Sequence, residues 1–388
     1  MPAPKTVGPN ANGEITILVP GDARVPKIVS LTSLRGIAAL LVAIFHFLPQ
    51  LEGYFPLSEY TQFLARGYIW VDFFFILSGF IMCYVYGDMF SDSITKADAK
   101  RFIILRLVRI YPLHFVILMM FVAAETSQLI LSSYIDLSML TIFSDHTSPF
   151  TLLTNVLLLH GLGINETAGW NEPSWSISVE MALYLIFPFL AASPLIRSRT
   201  GRIGMAVAAL VMLSVIDFKY GGLRATIDYG FFRGLGGFLL GIVVFHSRTM
   251  MILARTKYLN AVQAVLVIAV LLLLHFQTRD VLIVPVFVLL IGAVRADGGW
   301  LGKALKARPL YVLGVLSYSI YMTHNLVGLA FNKRWVVAFP QLADFSQSPW
   351  MVALFFAEIF LVLIVSWFTY RYVERPARYY LRRRLLPA

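Results

Sequence analysis

Apolar stretches of about 16 to 22 residues, separated by short polar or basic loops, recur from residue 30 to residue 370. A helix needs about 20 mostly apolar residues to cross the bilayer core, and only helices and closed barrels satisfy their own backbones in lipid. Ten stretches fit: 30–50, 67–87, 102–123, 175–195, 203–218, 226–247, 259–277, 280–296, 310–331 and 349–370. The composition agrees: 14% of the 388 residues are charged, against about 25% in a soluble domain. The chain reads as all-α, a polytopic transmembrane helix bundle of about ten spans. Its single cysteine, Cys83, excludes a disulfide framework and a cysteine-based metal cluster, and no metal site is expected.

Lysine and arginine set the expected orientation. With the N-terminus inside and ten spans, 24 basic residues fall on the cytoplasmic side and 6 outside, while Arg35 and Arg233 lie within spans. That split obeys the positive-inside rule and places both termini in the cytoplasm. The formal charge of +11 thus marks helix ends at a membrane surface, not nucleic-acid binding. Segment 150–163 (FTLLTNVLLLHGLG) is apolar but short, and counting it as a span would put the later basic loops outside. It reads as non-spanning, on the outer side, re-entrant or interfacial. Residues 1–27 read as a flexible cytoplasmic tail, 28–375 as one membrane domain and 376–388 as a basic cytoplasmic tail.

Ionisable residues inside the hydrocarbon zone are costly and mark functional sites by default. The first span contains SLRGIAALLVAIFHF, in which Arg35 and His46 stand eleven steps apart. Eleven steps is close to three helical turns, roughly 16 Å, so both side chains share one face. A snorkelling arginine and a carbonyl-bonded histidine are the bland reading of that pair. The second span opens GYIWVDFFFILSGF and places Asp72 at a depth similar to His46. There a carboxylate can orient an imidazole, or cap its own helix. Ser78 and Gly79 read as helix packing. The fourth span opens NEPSWSISVEMALYLIF, with Trp175 as an interfacial aromatic and Glu180 five residues inside. Arg233 (GFFRGLGGF) and, in GVLSYSIYMTHN, Tyr321 and His324 add polar groups from two further spans. Several independent spans therefore bring polar groups to one depth.

At the expected cytoplasmic start of the third span, RFIILRLVRIYP puts Arg106 and Arg109 on one helix face. Guanidinium pairs bind phosphate well, so this is either a donor-phosphate clamp or ordinary positive-inside arginine. Asn165-Glu166-Thr167 fits a glycosylation acceptor, a short pattern that carries no weight alone.

Six pieces in order, SLRGIAALLVAIFHF, VDFFFILSGF, RLVRIYP, WSISVEMALY, LSYSIYMTH and VERP, cover about residues 28–380. Together they resemble the acyltransferase-3 family of membrane-bound acyltransferases. The resemblance implies transfer of an acyl group, most often acetyl, from cytosolic acetyl-CoA to a hydroxyl of an extracytoplasmic glycan or glycolipid, in a bacterial cytoplasmic membrane. It implies a catalytic His46 with Arg35, support from Asp72 and Glu180, and donor binding by Arg106 and Arg109. Acetyl-CoA is then a co-substrate, with no tightly bound cofactor, and membrane lipid surrounds the bundle. Many family members carry a further hydrolase-like domain. This chain stops at 388, so one polypeptide is expected to capture and transfer, or to use a partner. No Gly-x-Ser-x-Gly elbow occurs. In the expected mechanism His46 takes the hydroxyl proton, Asp72 or Glu180 orients its ring, and Trp175 or Tyr321 donates to the oxyanion; an acyl-histidine route is the alternative. A proton-coupled exporter using the same charges as a relay is the competing function, and a lipid-binding scaffold leaves the motif order without a cause.

Overall fold

The computed structural model describes residues 16–18, 24–91, 93–134, 145–331 and 348–386. Most of the expected N-terminal tail, together with Lys333 and Arg334, lies outside them. Within that tail, Thr16–Leu18 (β1) pairs antiparallel with Arg24–Pro26 (β2), so a short hairpin stands where only flexible chain was expected. The helices follow as α1 (Val29–Glu52), α2 (Trp70–Tyr86), α3 (Lys96–Leu131), α4 (Pro149–Val156), α5 (Trp175–Ala192), α6 (Arg199–Tyr220), α7 (Gly230–His246), α8 (Leu259–His275), α9 (Ile283–Val294), α10 (Gly299–Leu305), α11 (Arg308–Phe331), α12 (Trp350–Thr369) and α13 (Arg375–Leu385).

Each of the ten apolar stretches is helical. Among the described residues, seven helices are long and apolar enough to span: α1, Gly67–Tyr86, α3, Glu172–Ala192, α6, Arg308–Leu329 and Trp350–Leu385. An eighth comes from Asp280–Val294 with α10 if that pair, bent by 81°, is one span. Helices α7 and α8, 17 residues each, sit at the lower limit of about 17. By length and composition seven or eight described helices can therefore span, with α7 and α8 as shorter apolar helices beside them. Helix α3 runs 36 residues, roughly 54 Å, because its flanks, KADAKR and ETSQL, are polar but good helix formers. Thr95 starts it, accepting from the Asp98 amide at 3.0 Å, as an N-cap does. At the other extreme α12 continues through a π-helical turn, Tyr370–Glu374, into α13, so the expected basic tail is helical through Leu385. Pro376 has no N–H to give the preceding turn, and the wider π turn absorbs that loss.

Two seams set the packing. Helices α1 and α11 touch backbone to backbone: a Cβ on Gly36 would lie 2.4 Å from the Gly314 amide nitrogen, and one on Gly314 2.1 Å from the Thr32 carbonyl oxygen. Helices α2 and α7 meet likewise at Gly79 and Gly241, where an added Cβ would lie 2.0 Å from the Phe238 and Ile76 carbonyl oxygens respectively. Both pairs run parallel, since Arg35 bonds Ser317 while His46 meets His324, and Asp72 bonds Arg233 while Gly79 meets Phe238. Parallel α2 and α7 require an even number of crossings between them. Helices α3, α5, α6 and α7 supply four; a fifth at α4 would reverse the direction. Eight residues make α4 only about 12 Å long, and the chain then turns at Leu158, φ 56°. The following loop tucks under α5, where Gly161 N–H donates to Ser178 Oγ, which itself donates to the Leu158 carbonyl. The segment 150–163 is thus short and folded back, as its length requires.

Candidate active site

Helix α1 carries His46 half-buried near its C-terminal end. Its Nδ1 lies 2.8 Å from the Val42 carbonyl oxygen. A carbonyl only accepts, so Nδ1 bears the proton and Nε2 holds the lone pair of the neutral ring. Helix α11 sets His324 beside it, ring centroids 4.8 Å apart, with Nδ1 on the Ile320 carbonyl and a buried, unpartnered Nε2. His46 lines a cavity of about 270 Å³ whose wall includes Phe45, Tyr68, Glu172, Trp175, Arg224, Arg233 and Tyr321. Aromatic faces and a few charges make this wall suited to a polar, ring-bearing acceptor.

Asp72 does not orient His46. Its carboxylate holds Arg233 in a bidentate pair, 2.6 and 3.0 Å, with both residues buried. Arg233 also donates to the carbonyls of Ala225 and Tyr68 and lies over the Trp175 ring, 5.4 Å from its centroid. An aspartate so placed bonds a guanidinium in preference to an imidazole because the fork geometry satisfies both oxygens at once. Glu180 is also turned elsewhere, accepting from Ser78 Oγ at 2.9 Å and from Tyr184 OH. Tyr321 donates to the Pro173 carbonyl at 2.8 Å and shares a 2.6 Å bond with Ser176. Its hydroxyl proton is committed, so Tyr321 serves as cavity wall and not as an oxyanion donor, while Trp175 lines the same wall with Arg233 over its ring.

The opposite end of the bundle is cationic. Helix α11 between Tyr311 and Ser319 gathers it: Lys27 Nζ donates to Tyr311 OH at 3.2 Å, and Arg35 donates to the Gly314 carbonyl and to Ser317 Oγ. Tyr318 bonds the Ile110 carbonyl beside Arg109, while Ser319 donates to Glu374, which also receives Arg378. Arg35, Arg109 and Arg378 act on one another and on Lys27 electrostatically. Burial first, then the fields of Arg35, Arg109 and Arg378, pull Lys27, which precedes the first span, down to about 7. The expected clamp divides. Arg109 joins this cluster, but Arg106 turns inward to Tyr86 OH and the rings of Tyr86, Tyr184 and Phe102. Arg35 belongs to this end, three turns of α1 from His46, and not beside the imidazole.

Sequence reasoning passed over Glu172, Arg224, Lys27 and Arg378. Glu172 precedes a proline in a polar loop, where a carboxylate attracts no notice. It also passed over His114 and His160, buried with ring centroids 6.0 Å apart. Each is a single histidine in an apolar run of its own.

A bundle of membrane-length helices, with a histidine-lined cavity at one end and clustered cations at the other, defines a multi-pass membrane protein. Residues 28–371 match the acyltransferase-domain model of the acyltransferase-3 family, and the chain belongs to that family as an acyltransferase. A provisionally named O-acetyltransferase of Staphylococcus aureus (strain COL) is 26% identical over 377 residues, covering 90% of this chain and 57% of that protein. A provisionally named peptidoglycan O-acetyltransferase of Bacillus subtilis (strain 168) is 25% identical over 338 residues, 80% of this chain and 50% of its own length. The acyltransferase MdmB of Streptomyces mycarofaciens is 28% identical over 335 residues, 78% and 80% respectively. The chain thus spans just over half of the staphylococcal protein and half of the bacillar one. No solved structure matches it.

Proposed function

We propose that the protein transfers an acyl group, acetyl in the simplest case, from a coenzyme A thioester to a hydroxyl of an extracytoplasmic glycan or glycolipid, with His46 as general base. The observation that carries this reading is the fixed tautomer of His46, whose Nδ1 is held by Val42 while Nε2 is left for the cavity. The acceptor hydroxyl loses its proton to Nε2 as its oxygen attacks the thioester carbonyl. The C–S bond then breaks and the thiolate takes the proton back from Nε2, leaving an ester and a free thiol. General-base assistance of this kind is worth about 10² to 10⁴ in rate.

Donor phosphates belong at the cationic end, with Arg109, Arg35, Lys27 and Arg378 as partners. Guanidinium groups suit phosphate, and clustered like charges favour an anion among them. Arg35 and Arg109 are then donor-binding, while Arg106 shapes the wall near Glu180. About 16 Å of α1 separate Arg35 from His46, the distance the thioester arm covers. The positive-inside rule turns the cationic end to the cytoplasm and the cavity to the opposite face. The bacillar relative's name supports a cell-surface glycan as acceptor class. Membership of an acyltransferase family leaves the transport reading of the intramembrane charges without support.

The test is purified protein supplied with acetyl-CoA and a glycan acceptor. His46→Ala is expected to lower kcat at least about 100-fold, with acetyl-CoA binding retained. Near-normal turnover in that variant ends the proposal.

A further inference from the structure

We propose that Glu172 is the carboxylate that serves His46, a positioning residue that stabilises the imidazolium across the cavity while leaving Nε2 free for the acceptor hydroxyl. The inference rests on His46 being the base. An imidazole that accepts a proton at Nε2 becomes a cation in a half-buried site, and a nearby anion stabilises it. The carbonyl of Val42 offers only a dipole at Nδ1. The buried carboxylates of the spanning helices are otherwise placed: Asp72 is neutralised by Arg233, Glu180 is bonded by Ser78 and Tyr184, and Glu358 of α12 faces Gln50 and does not line the cavity.

Glu172 lines the same cavity as His46, so its carboxylate and the imidazole face one volume of about 270 Å³. No hydrogen bond or ion pair with another described residue engages its carboxylate. Its backbone is nevertheless held firmly. Glu172–Ser174 forms a 3₁₀ turn, clamped to α11 by Asn171 Nδ2 donating to the Met322 carbonyl at 3.2 Å and by Tyr321 OH donating to the Pro173 carbonyl. The same stretch of α11 carries His324, which packs on His46. One helix therefore sets both the position of the base's neighbour and the turn from which Glu172 projects. The other titratable or charged groups facing His46 are His324 and Tyr321 from α11, Tyr68 from the turn before α2, Arg224 from the loop before α7, and Arg233, already neutralised by Asp72. Arg224 is held by Tyr68, over whose ring it lies, and Glu172 is the one anion of the cavity wall. Its exposure to solvent screens the effect and keeps it moderate.

The experiment uses the full chain with acetyl-CoA and a glycan acceptor, reading kcat, both KM values and the pH–rate profile. Glu172→Gln removes the charge and keeps the shape. It is expected to lower kcat about three- to tenfold, leave the acetyl-CoA KM within about twofold, and move the acidic limb of the profile about 0.5 to 1 unit to lower pH. Glu172→Asp is expected to recover part of the rate and most of the limb position. An unchanged limb in Glu172→Gln overturns the proposal, whether kcat is unchanged or only the acceptor KM rises. Should Glu172→Gln fail to bind acetyl-CoA, Glu172→Asp decides: a limb displaced as far as by loss of the charge overturns it, and a limb at the native position with measurable turnover supports it. If His46→Ala retains turnover, the base assignment fails; if only Glu172→Gln is silent, that assignment stands and this one falls.

Discussion

Asp72 shows how a residue can be placed correctly and paired wrongly. Its depth follows from its position in an apolar run, but its partner lies 161 residues later on α7. Single-sequence spacing carries no information about which side chain a fold will bring opposite. The pairing also changes what a mutation means. Asp72→Leu leaves a fully buried Arg233 without its counter-charge, which costs about 3–5 kcal/mol when a buried pair is broken from one side. Replacing both, as Asp72→Leu with Arg233→Met, removes the orphaned charge and is expected to recover most of that loss. Thermal unfolding in detergent checks this: a single variant as stable as the double one refutes the structural role. For His46 only the i−4 carbonyl bond was legible, since Val42 comes from its own helix; that Asp72 and Glu180 are turned away from its ring was not.

Helices were legible because lipid demands them and apolar length announces them; their ends were not, because polar sequences such as KADAKR are helical too. Contacts between helices were also hidden. The seam of α1 and α11 depends on Gly36 and Gly314, where any Cβ would meet backbone at 2.1–2.4 Å. Gly314→Val must push the helices apart, carrying Arg35 from Ser317 and His46 from His324. A loss of about 1–3 kcal/mol or more is expected from such overpacking, together with loss of activity. Gly204 on α6 has nothing within 4 Å of a Cβ, so Gly204→Ala is expected to be neutral or stabilising by about 0.5–1 kcal/mol. Parallel thermal melts of the two variants separate a packed glycine from a spare one; equal effects would refute the seam.

At the scale of the whole molecule the cationic end and the cavity are opposite ends of one set of parallel helices, α1, α3 and α11. Lys27 makes the cationic end measurable. Its folded value near 7 lies below the ordinary 10.5, so between those values the unfolded chain binds one more proton than the fold. In that window rising pH favours the folded state. Donor phosphates reverse the cause, since an adjacent anion favours the ammonium. Acetyl-CoA binding at about pH 8 is therefore expected to take up a proton, and near pH 5.5, where Lys27 is already charged, to take up none. Calorimetry in buffers of different ionisation enthalpy reads this directly. Lys27→Met should abolish the uptake; uptake that persists in it would place the donor phosphates elsewhere.

By itself the sequence determined that this chain lives in a membrane as a helical bundle, and it pointed to a non-spanning 150–163 and to polar groups gathered at two depths. Those follow from local rules: apolar length, charge bias and helical period act within a span or its loops. Only the tertiary structure decided that Asp72 belongs to Arg233, that Arg35 keeps company with Arg109 and Arg378, and that Glu172 shares a cavity with His46. Each of those juxtapositions joins segments far apart in the chain by proximity in space, which no spacing along the sequence encodes.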